Sequence, residues 1–339
     1  MRTRAHVERL GVRAVTALPA AAQRRLAGRP VRLDGNTLAT DLQLLLRLQR
    51  AVRAPDPATV PVPRGRALVR ETAWELGGRQ PVGEVRSLRV ADLPARLYVP
   101  DGAPARGPLL VFFHGGGFWA GDLDSHDAAC RFLCREAGVR VLSVEYRQGP
   151  EHPFPAAHDD AVAAYGWTLE HAGEVGADLT RLGVGGDSAG GNLAAHVAIE
   201  AARSGWPCAV QLLVYPATLS RRDTPSSRLF AHGFYLTEEF MDRATLLYAR
   251  STPPDEPRLS PLHAELPAGL APALVHTAGF DPLRDEGEAY ADKLRAAGVE
   301  VRATRFPDQI HAFLNIVGVP GTSRSAVRRI ARELATSLG

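Results

Sequence analysis

The sequence predicts an α/β architecture, a mostly parallel central sheet with helices on both faces and a helical cap. Three observations carry that expectation. From about residue 85, short aliphatic or β-branched runs bounded by Gly and Pro alternate with longer helix-like segments. That alternation marks a parallel sheet buried on both faces. Residues 218–258 break the rhythm with polar, aromatic and helix-like sequence, as an inserted cap would. Finally, 339 residues with 45% hydrophobic and 23% charged content suit one large domain with an insertion. Such a composition excludes disordered, collagenous and coiled-coil chains.

The elements follow in order. Residues 1–50 read as helix. Val7, Leu10, Ala14 and Leu18 recur at helical spacing, and Leu38, Leu42, Leu45 and Leu46 repeat the pattern after Asp34-Gly35-Asn36. The Pro-rich stretch Pro55–Pro63 reads as a linker. Strands are expected at Leu109–Phe113, Val139–Val144, Leu182–Gly185, Gln211–Tyr215, Ala273–Ala278 and Val299–Arg305. Helices are expected between them at Ser125–Ala137, Ala156–His171, Ala189–Ser204 and Asp285–Ala297. Three cysteines cannot build a disulfide framework. Cys130 and Cys134, four apart without a second Cys/His pair, read as core residues and not as metal ligands.

Charge is uneven. Residues 1–55 hold eleven arginines against Glu8, Asp34 and Asp41, a net charge of +8, and leave the rest of the chain net negative. Lys293 is the only lysine, so positive charge is almost entirely arginine. No apolar run reaches the ~18 residues that span a bilayer. Ala14–Ala22 loosely imitates a signal h-region, but Arg13 and Pro19 interrupt it and Glu8 lies upstream, which argues against secretion.

Gly186-Asp187-Ser188-Ala189-Gly190 lies between an expected strand and an expected helix. This context suits a nucleophile elbow, a tight turn that exposes a serine and needs glycine where a Cβ would collide. His114-Gly115-Gly116-Gly117-Phe118 follows another strand. Its three glycines leave backbone N–H groups unshielded, able to face a developing oxyanion. The loop lacks the spacing and lysine of a nucleotide-phosphate cradle. His114, ahead of the glycines, suits a loop-fixing role.

A serine nucleophile needs a base, and the base an orienting carboxylate. In this kind of sheet they follow in the order Ser, Asp/Glu, His. Asp281 lies just after the strand Ala273–Ala278, and His311 follows the last strand. Both then sit at strand C-terminal ends, the edge on which Ser188 lies. Of the eleven histidines, His311 satisfies both order and loop position. Asp285 and Glu286, the rival acids, suit the first turn of the next helix.

Together these segments resemble the hormone-sensitive-lipase-like esterases, a branch of the α/β-hydrolase superfamily. The resemblance rests on His114-Gly115-Gly116-Gly117-Phe118, Gly186–Leu193, Asp281-Pro282-Leu283-Arg284-Asp285-Glu286 and His311-Ala312-Phe313. Tyr146-Arg147 and Pro150–Ala157 add to it, although Gln148-Gly149 stands where the family usually has Leu-Ala. It covers roughly residues 85–335. It implies an α/β-hydrolase fold and a serine carboxylesterase acting on short- to medium-chain esters. Ser188 would be the nucleophile, His311 the base and Asp281 its orienter, with the N–H groups of Gly116, Gly117 and Ala189 as the oxyanion hole.

The resemblance also implies a helical cap made of residues 1–75 and the insertion at about 218–258, over a catalytic domain spanning 76–339. Phe118, Trp119 and Phe234 are candidate pocket walls, as are Tyr235 and Leu236; ordinary cap core is the other reading for the aromatic residues of the insertion. Such a reaction needs no metal or organic cofactor. Amidase, peptidase and acyltransferase activities would use the same triad, and a non-catalytic binding module is a further alternative. The retained histidine argues against that module. The expected partner is a small-molecule ester, not nucleic acid, in the cytoplasm. The basic head reads as the solvated face of cap helices. Val7, Leu10 and Ala14 opposite Arg2, Arg9 and Arg13 also fit a helix lying on an anionic membrane.

Overall fold

The structure is a computed structural model that describes residues 18–339. Its centre is an eight-stranded sheet. The strands are β1 (Glu84–Val90), β2 (Leu93–Val99), β3 (Gly107–Phe113), β4 (Arg140–Val144), β5 (Ala177–Asp187), β6 (Val210–Val214), β7 (Ala273–Phe280) and β8 (Val301–Ile310). Their spatial order is β1-β2-β4-β3-β5-β6-β7-β8. β2 pairs antiparallel with β1 and β4, and every other neighbouring pair is parallel. β4, β6 and β7 are buried along their whole length, as parallel strands covered on both faces must be.

The helices are α1 (Ala20–Ala27), α2 (Thr40–Ala51), α3 (Val62–Gly77), α4 (Asp127–Ala137), α5 (Ala156–Glu170), α6 (Ala172–Val175), α7 (Ala189–Ser204), α8 (Pro225–Leu229), α9 (Glu238–Ala244), α10 (Arg284–Ala296) and α11 (Thr322–Leu338). The pleat of β3 sorts them into two layers. Leu109, Val111 and Phe113 face a core with α5, α7 and α10, and Leu110 and Phe112 face one with α4 and α11. Cys130 and Cys134 are buried in the second layer.

Against the sequence reading, the inner strands match and the antiparallel edge β1–β2 is new. β1 is mostly exposed, so the charges Glu84, Arg86 and Arg89 mask its strand pattern. Asp34-Gly35 forms the turn of a two-residue hairpin, Arg32–Leu33 with Asn36–Thr37, where a break between helices was expected. The expected linker overlaps α3, which opens on Val62-Pro63; proline is tolerated in a first helical turn because the N–H it lacks would have no intrahelical partner there. The candidate membrane helix through Val7, Leu10 and Ala14 lies outside the described residues.

Two segments cover the C-terminal edge of the sheet. Leu38, Leu42, Leu45 and Leu46 of the N-terminal segment pack with Phe280 and Ile310, the last residues of β7 and β8. Asp34 pairs with Arg284 at 2.7 Å, and Asp41 accepts the Thr322 N–H at 2.8 Å. The second segment leaves the sheet after β6, forms α8, α9 and a π-helical turn at Thr245–Ala249, and returns at β7.

Candidate active site

Sheet register sets the site. Phe113 of β3 lies opposite Gly186 of β5, Asp187 opposite Val214, Val214 opposite His276, and Ile310 opposite Phe280. The residues that follow these strand ends, His114, Ser188, Asp281 and His311, therefore emerge along one edge. β3 is also where the chain reverses, running first to β4 on one side and then to β5 on the other. Open α/β sheets bind ligands at such a point.

Ser188 has φ +56° and ψ −120°, a strained conformation for a residue with a side chain. Its N–H donates to the Val214 carbonyl at 2.9 Å, and its own carbonyl accepts from Ala217 at 3.1 Å. The glycines make the turn passable. A Cβ on Gly190 would stand 1.9 Å from the Phe113 carbonyl oxygen, and one on Gly186 would stand 2.2 Å from that of Gly190. α7 starts at once, so its N-terminal partial positive charge faces the serine.

The Ser188 hydroxyl lies 3.0 Å from His311 Nε2, and His311 Nδ1 lies 2.8 Å from Asp281 Oδ2. The other Asp281 oxygen accepts the Leu283 N–H at 2.8 Å. Asp281 is fully buried, and Ser188 and His311 are 9% and 5% exposed. A carboxylate on Nδ1 fixes the tautomer with the proton there, leaving Nε2 as an acceptor for the serine proton. Asp285 instead bonds Arg284 and Ser226, and Glu286 accepts the Thr218 N–H.

The glycine loop turns through Gly116 at φ +126° and Gly117 at φ +62°. The N–H groups of Gly116, Gly117 and Ala189 have no acceptor among the described residues, and all three residues border the cavity that holds Ser188. His114 is buried behind the loop, stacked on Tyr146 at 4.3 Å, and burial lowers its pKa to about 4. The Tyr146 hydroxyl donates to the His114 carbonyl at 2.7 Å.

One group of contacts was not anticipated from the sequence. Asp187, buried beside the nucleophile, accepts the Gly115 N–H at 2.9 Å and lies 3.2 Å from His126 Nε2. Tyr215 Oη lies 3.3 Å from its other oxygen. Burial pushes the Asp187 carboxyl up, but His126 and the Gly115 N–H outweigh it and hold it below the usual range. His126 is in turn 2.9 Å from Ser125 Oγ. A carboxylate wedged between glycine and serine was the available signal, because a buried charge requires partners.

The cavity measures about 460 Å³. Phe118 borders it and stacks on Tyr248 at 4.6 Å. Trp119 and Phe234 do not, which corrects their reading as pocket walls. Trp119 is fully buried beneath Phe240 and Arg243, and Phe234 packs on Phe230 and Phe280. Their chain neighbours Tyr235 and Leu236 line the cavity with Leu219, Phe240 and Met241 of the insertion, and Leu46, Val69 and Ala73 line it from the N-terminal segment. Among the described residues no group of His, Cys, Asp or Glu is placed to hold a metal ion.

Comparisons with known proteins agree with this fold. The sequence profile of the alpha/beta hydrolase fold matches residues 110–315. The chain is 45% identical to the carboxylic ester hydrolase LipN of Mycobacterium tuberculosis, over 99% of this chain and 93% of the relative. It is 40% identical to the esterase LipI of the same organism, over 84% and 92% of the two chains. Among solved structures, a hyperthermophilic esterase of Pyrobaculum calidifontis superposes with a TM-score of 0.82 at 36% identity, covering 88% of this chain and 98% of its own. With the glycine loop, the serine elbow and the Asp281–His311 pair on one sheet edge, the chain belongs to the hormone-sensitive-lipase-like esterases of the α/β-hydrolase superfamily.

Proposed function

We propose that this carboxylesterase hydrolyses short- to medium-chain esters through an acyl-enzyme on Ser188. The observation that carries the assignment is the continuous relay from Ser188 to His311 to Asp281, at 3.0 and 2.8 Å, opening into the cavity. His311 Nε2 takes the Ser188 proton as the oxygen attacks the ester carbonyl. Asp281 stabilises the imidazolium that forms. The oxyanion swings toward the N–H groups of Gly116, Gly117 and Ala189, donors fixed before the charge appears. Protonated His311 then delivers its proton to the leaving alcohol. Water, activated by the same nitrogen, releases the acid.

The supports for a capped pocket are the walls that residues 46–73 of the N-terminal segment and the 218–258 insertion contribute to the cavity. Ser188→Ala should abolish turnover of p-nitrophenyl butyrate while the thermal transition persists. A fluorophosphonate should add its mass to the wild-type chain only. Wild-type rates in Ser188→Ala would overturn the assignment.

A peripheral site of action is a second proposal, with the protein cytoplasmic. Among the described residues no helix is long and apolar enough to cross a membrane. Supporting surface contact, Leu26 is 49% exposed beside Arg24 and Arg25 on α1. Deleting residues 1–30 should abolish co-sedimentation with anionic liposomes, and equal binding of both forms would remove the proposal.

A further inference from the structure

We propose that the cavity selects esters bearing a second, anionic group away from the scissile bond, and that Arg50 and Arg53 recognise it. The inference rests on the esterase reading above and names the substrate class within it.

Three cationic side chains border the cavity: Arg50, Arg53 and Arg222. Arg222 is neutralised by an ion pair with Asp242. Arg50 and Arg53 have no carboxylate partner among the described residues; the Nε of Arg50 donates to the Leu46 carbonyl of its own helix at 3.2 Å. Asp56, another cavity-bordering residue, spends one oxygen on the Ala58 N–H at 2.7 Å and forms no ion pair among the described residues. Elsewhere in the N-terminal segment, Arg64, Arg66 and Arg70 each find a carboxylate, while Arg24, Arg25, Arg29, Arg32 and Arg47, which have none among the described residues, do not border the cavity. Two guanidinium groups without a carboxylate partner among the described residues thus border the cavity that holds Ser188.

The backbone supplies an independent observation. α2 ends in paired closing bonds, Ala54 N–H to the Gln49 carbonyl and Arg53 N–H to the Arg50 carbonyl, both at 3.1 Å. This is the Schellman arrangement, whose left-handed position belongs to glycine or asparagine. Arg53 occupies it at φ +49°. A side chain at this position costs backbone strain that glycine would avoid. Here that side chain borders the cavity.

The chemistry fits a carboxylate or another oxyanion. A guanidinium presents a planar fork of donors that engages such a group through two parallel hydrogen bonds. A cleft walled by apolar side chains focuses the field of these charges on an arriving ligand. The anion must be remote from the reacting carbonyl, because the buried carboxylate Asp187 borders the cavity beside Ser188.

The test compares esters matched in length. On the acyl side, mono-p-nitrophenyl adipate and suberate are set against p-nitrophenyl hexanoate and octanoate. On the alcohol side, 4-butyryloxybenzoate is set against its methyl ester. The quantity read is the anionic-to-neutral ratio of kcat/KM. In at least one arm it should fall about threefold for Arg50→Gln or Arg53→Gln at low salt, more in the double variant, and it should fall for the wild type in about 0.5 M salt.

Lysine at both positions keeps the charge and should hold much of the ratio. Arg53→Gly should lower the ratio without lowering the thermal midpoint, since glycine suits that backbone; a purely structural arginine would show the reverse. Ratios equal to the wild type in both arms would overturn the inference. Failure of the wild type on the neutral esters would instead overturn the esterase reading beneath it.

Discussion

The carboxylate of Asp187 accepts the Gly115 N–H at 2.9 Å, so the residue preceding Ser188, the proposed nucleophile, also anchors the loop that carries Gly116 and Gly117, two of the proposed oxyanion donors. Ser188 and the glycine loop are thereby fixed to each other directly, and not only through the shared sheet. Removing that tie should matter most when the negative charge develops, because the donors act on the transition state and not on the bound ester.

Asp187→Ala should therefore lower kcat about 10- to 100-fold and change KM little. Asp187→Asn keeps an acceptor for Gly115 and should fall between. Steady-state kinetics on p-nitrophenyl butyrate checks both, with thermal melts to measure the cost of stranding the Gly115 N–H. An effect confined to KM would place Asp187 in substrate binding and not in loop positioning.

Gly116→Ala attacks the loop from within. A Cβ there would stand 2.0 Å from the Ala120 carbonyl oxygen, at a φ of +126° that L residues rarely adopt. The loop must shift, and its N–H groups with it. The expected outcome is a kcat loss of about 10²–10³ with the circular dichroism spectrum retained. Activity within about threefold of wild type would show that Gly116 is not an oxyanion donor.

What the sequence made legible follows from range. Inner strands announce themselves as apolar runs, and α7 matched its expected bounds, Ala189–Ser204, because the elbow fixes its start and Gly205, at φ +67°, its end. The order Ser188, Asp281, His311 needed only the rule that chemistry gathers at strand ends. By contrast, Asp187 meets His126 across sixty-one positions of sequence, and nothing local encodes that contact. Of the expected pocket walls, Phe118, Tyr235 and Leu236 border the cavity, and Trp119 and Phe234 do not, for a different reason. Phe118, at φ +60°, and Trp119 are adjacent, yet one borders the cavity and the other packs beneath the cap. Which of two neighbouring aromatics faces a ligand depends on a backbone turn that composition does not report. β1 stayed hidden because an edge strand carries charge on its open side, which protects it from pairing with other chains; β2, paired on both sides, is masked by Pro94 and Arg96 within its short run.

Glu286 sets an alkaline limit. It is fully buried, and burial pushes its pKa to about 8 even though the Thr218 and Leu219 N–H groups favour the charged form. The unfolded chain has already released this proton near pH 4.5, so the folded state holds one that the unfolded state lacks. Stability from this group is complete below pH 4.5 and is lost as pH rises toward 8. Glu286→Gln mimics the protonated form and keeps an acceptor for both N–H groups. The thermal midpoint of the wild type minus that of the variant should fall steadily between pH 5 and 8. A difference that stays constant with pH would mean the carboxyl is ionised in the fold throughout.

His276 sets an acid limit of the opposite kind. It lies in β7 with both ring nitrogens unpartnered, and burial, then the charges of Arg329 and Arg302, lowers its pKa to about 3. Glu333 stands 3.6 Å away, but a neutral imidazole forms no ion pair with it. Unfolded, the ring takes up a proton near pH 6.5. Stability is therefore lost as pH falls from 6.5 toward 3, and the buried His114, His158 and His196, also depressed, steepen the loss. His276→Leu removes one of these protons. Between pH 6 and 4 its unfolding free energy should fall less steeply than that of the wild type, by up to about 1.4 kcal/mol per pH unit. Urea titrations at several pH values measure that slope. Parallel slopes would show that His276 is protonated in the fold, paired with Glu333 after all.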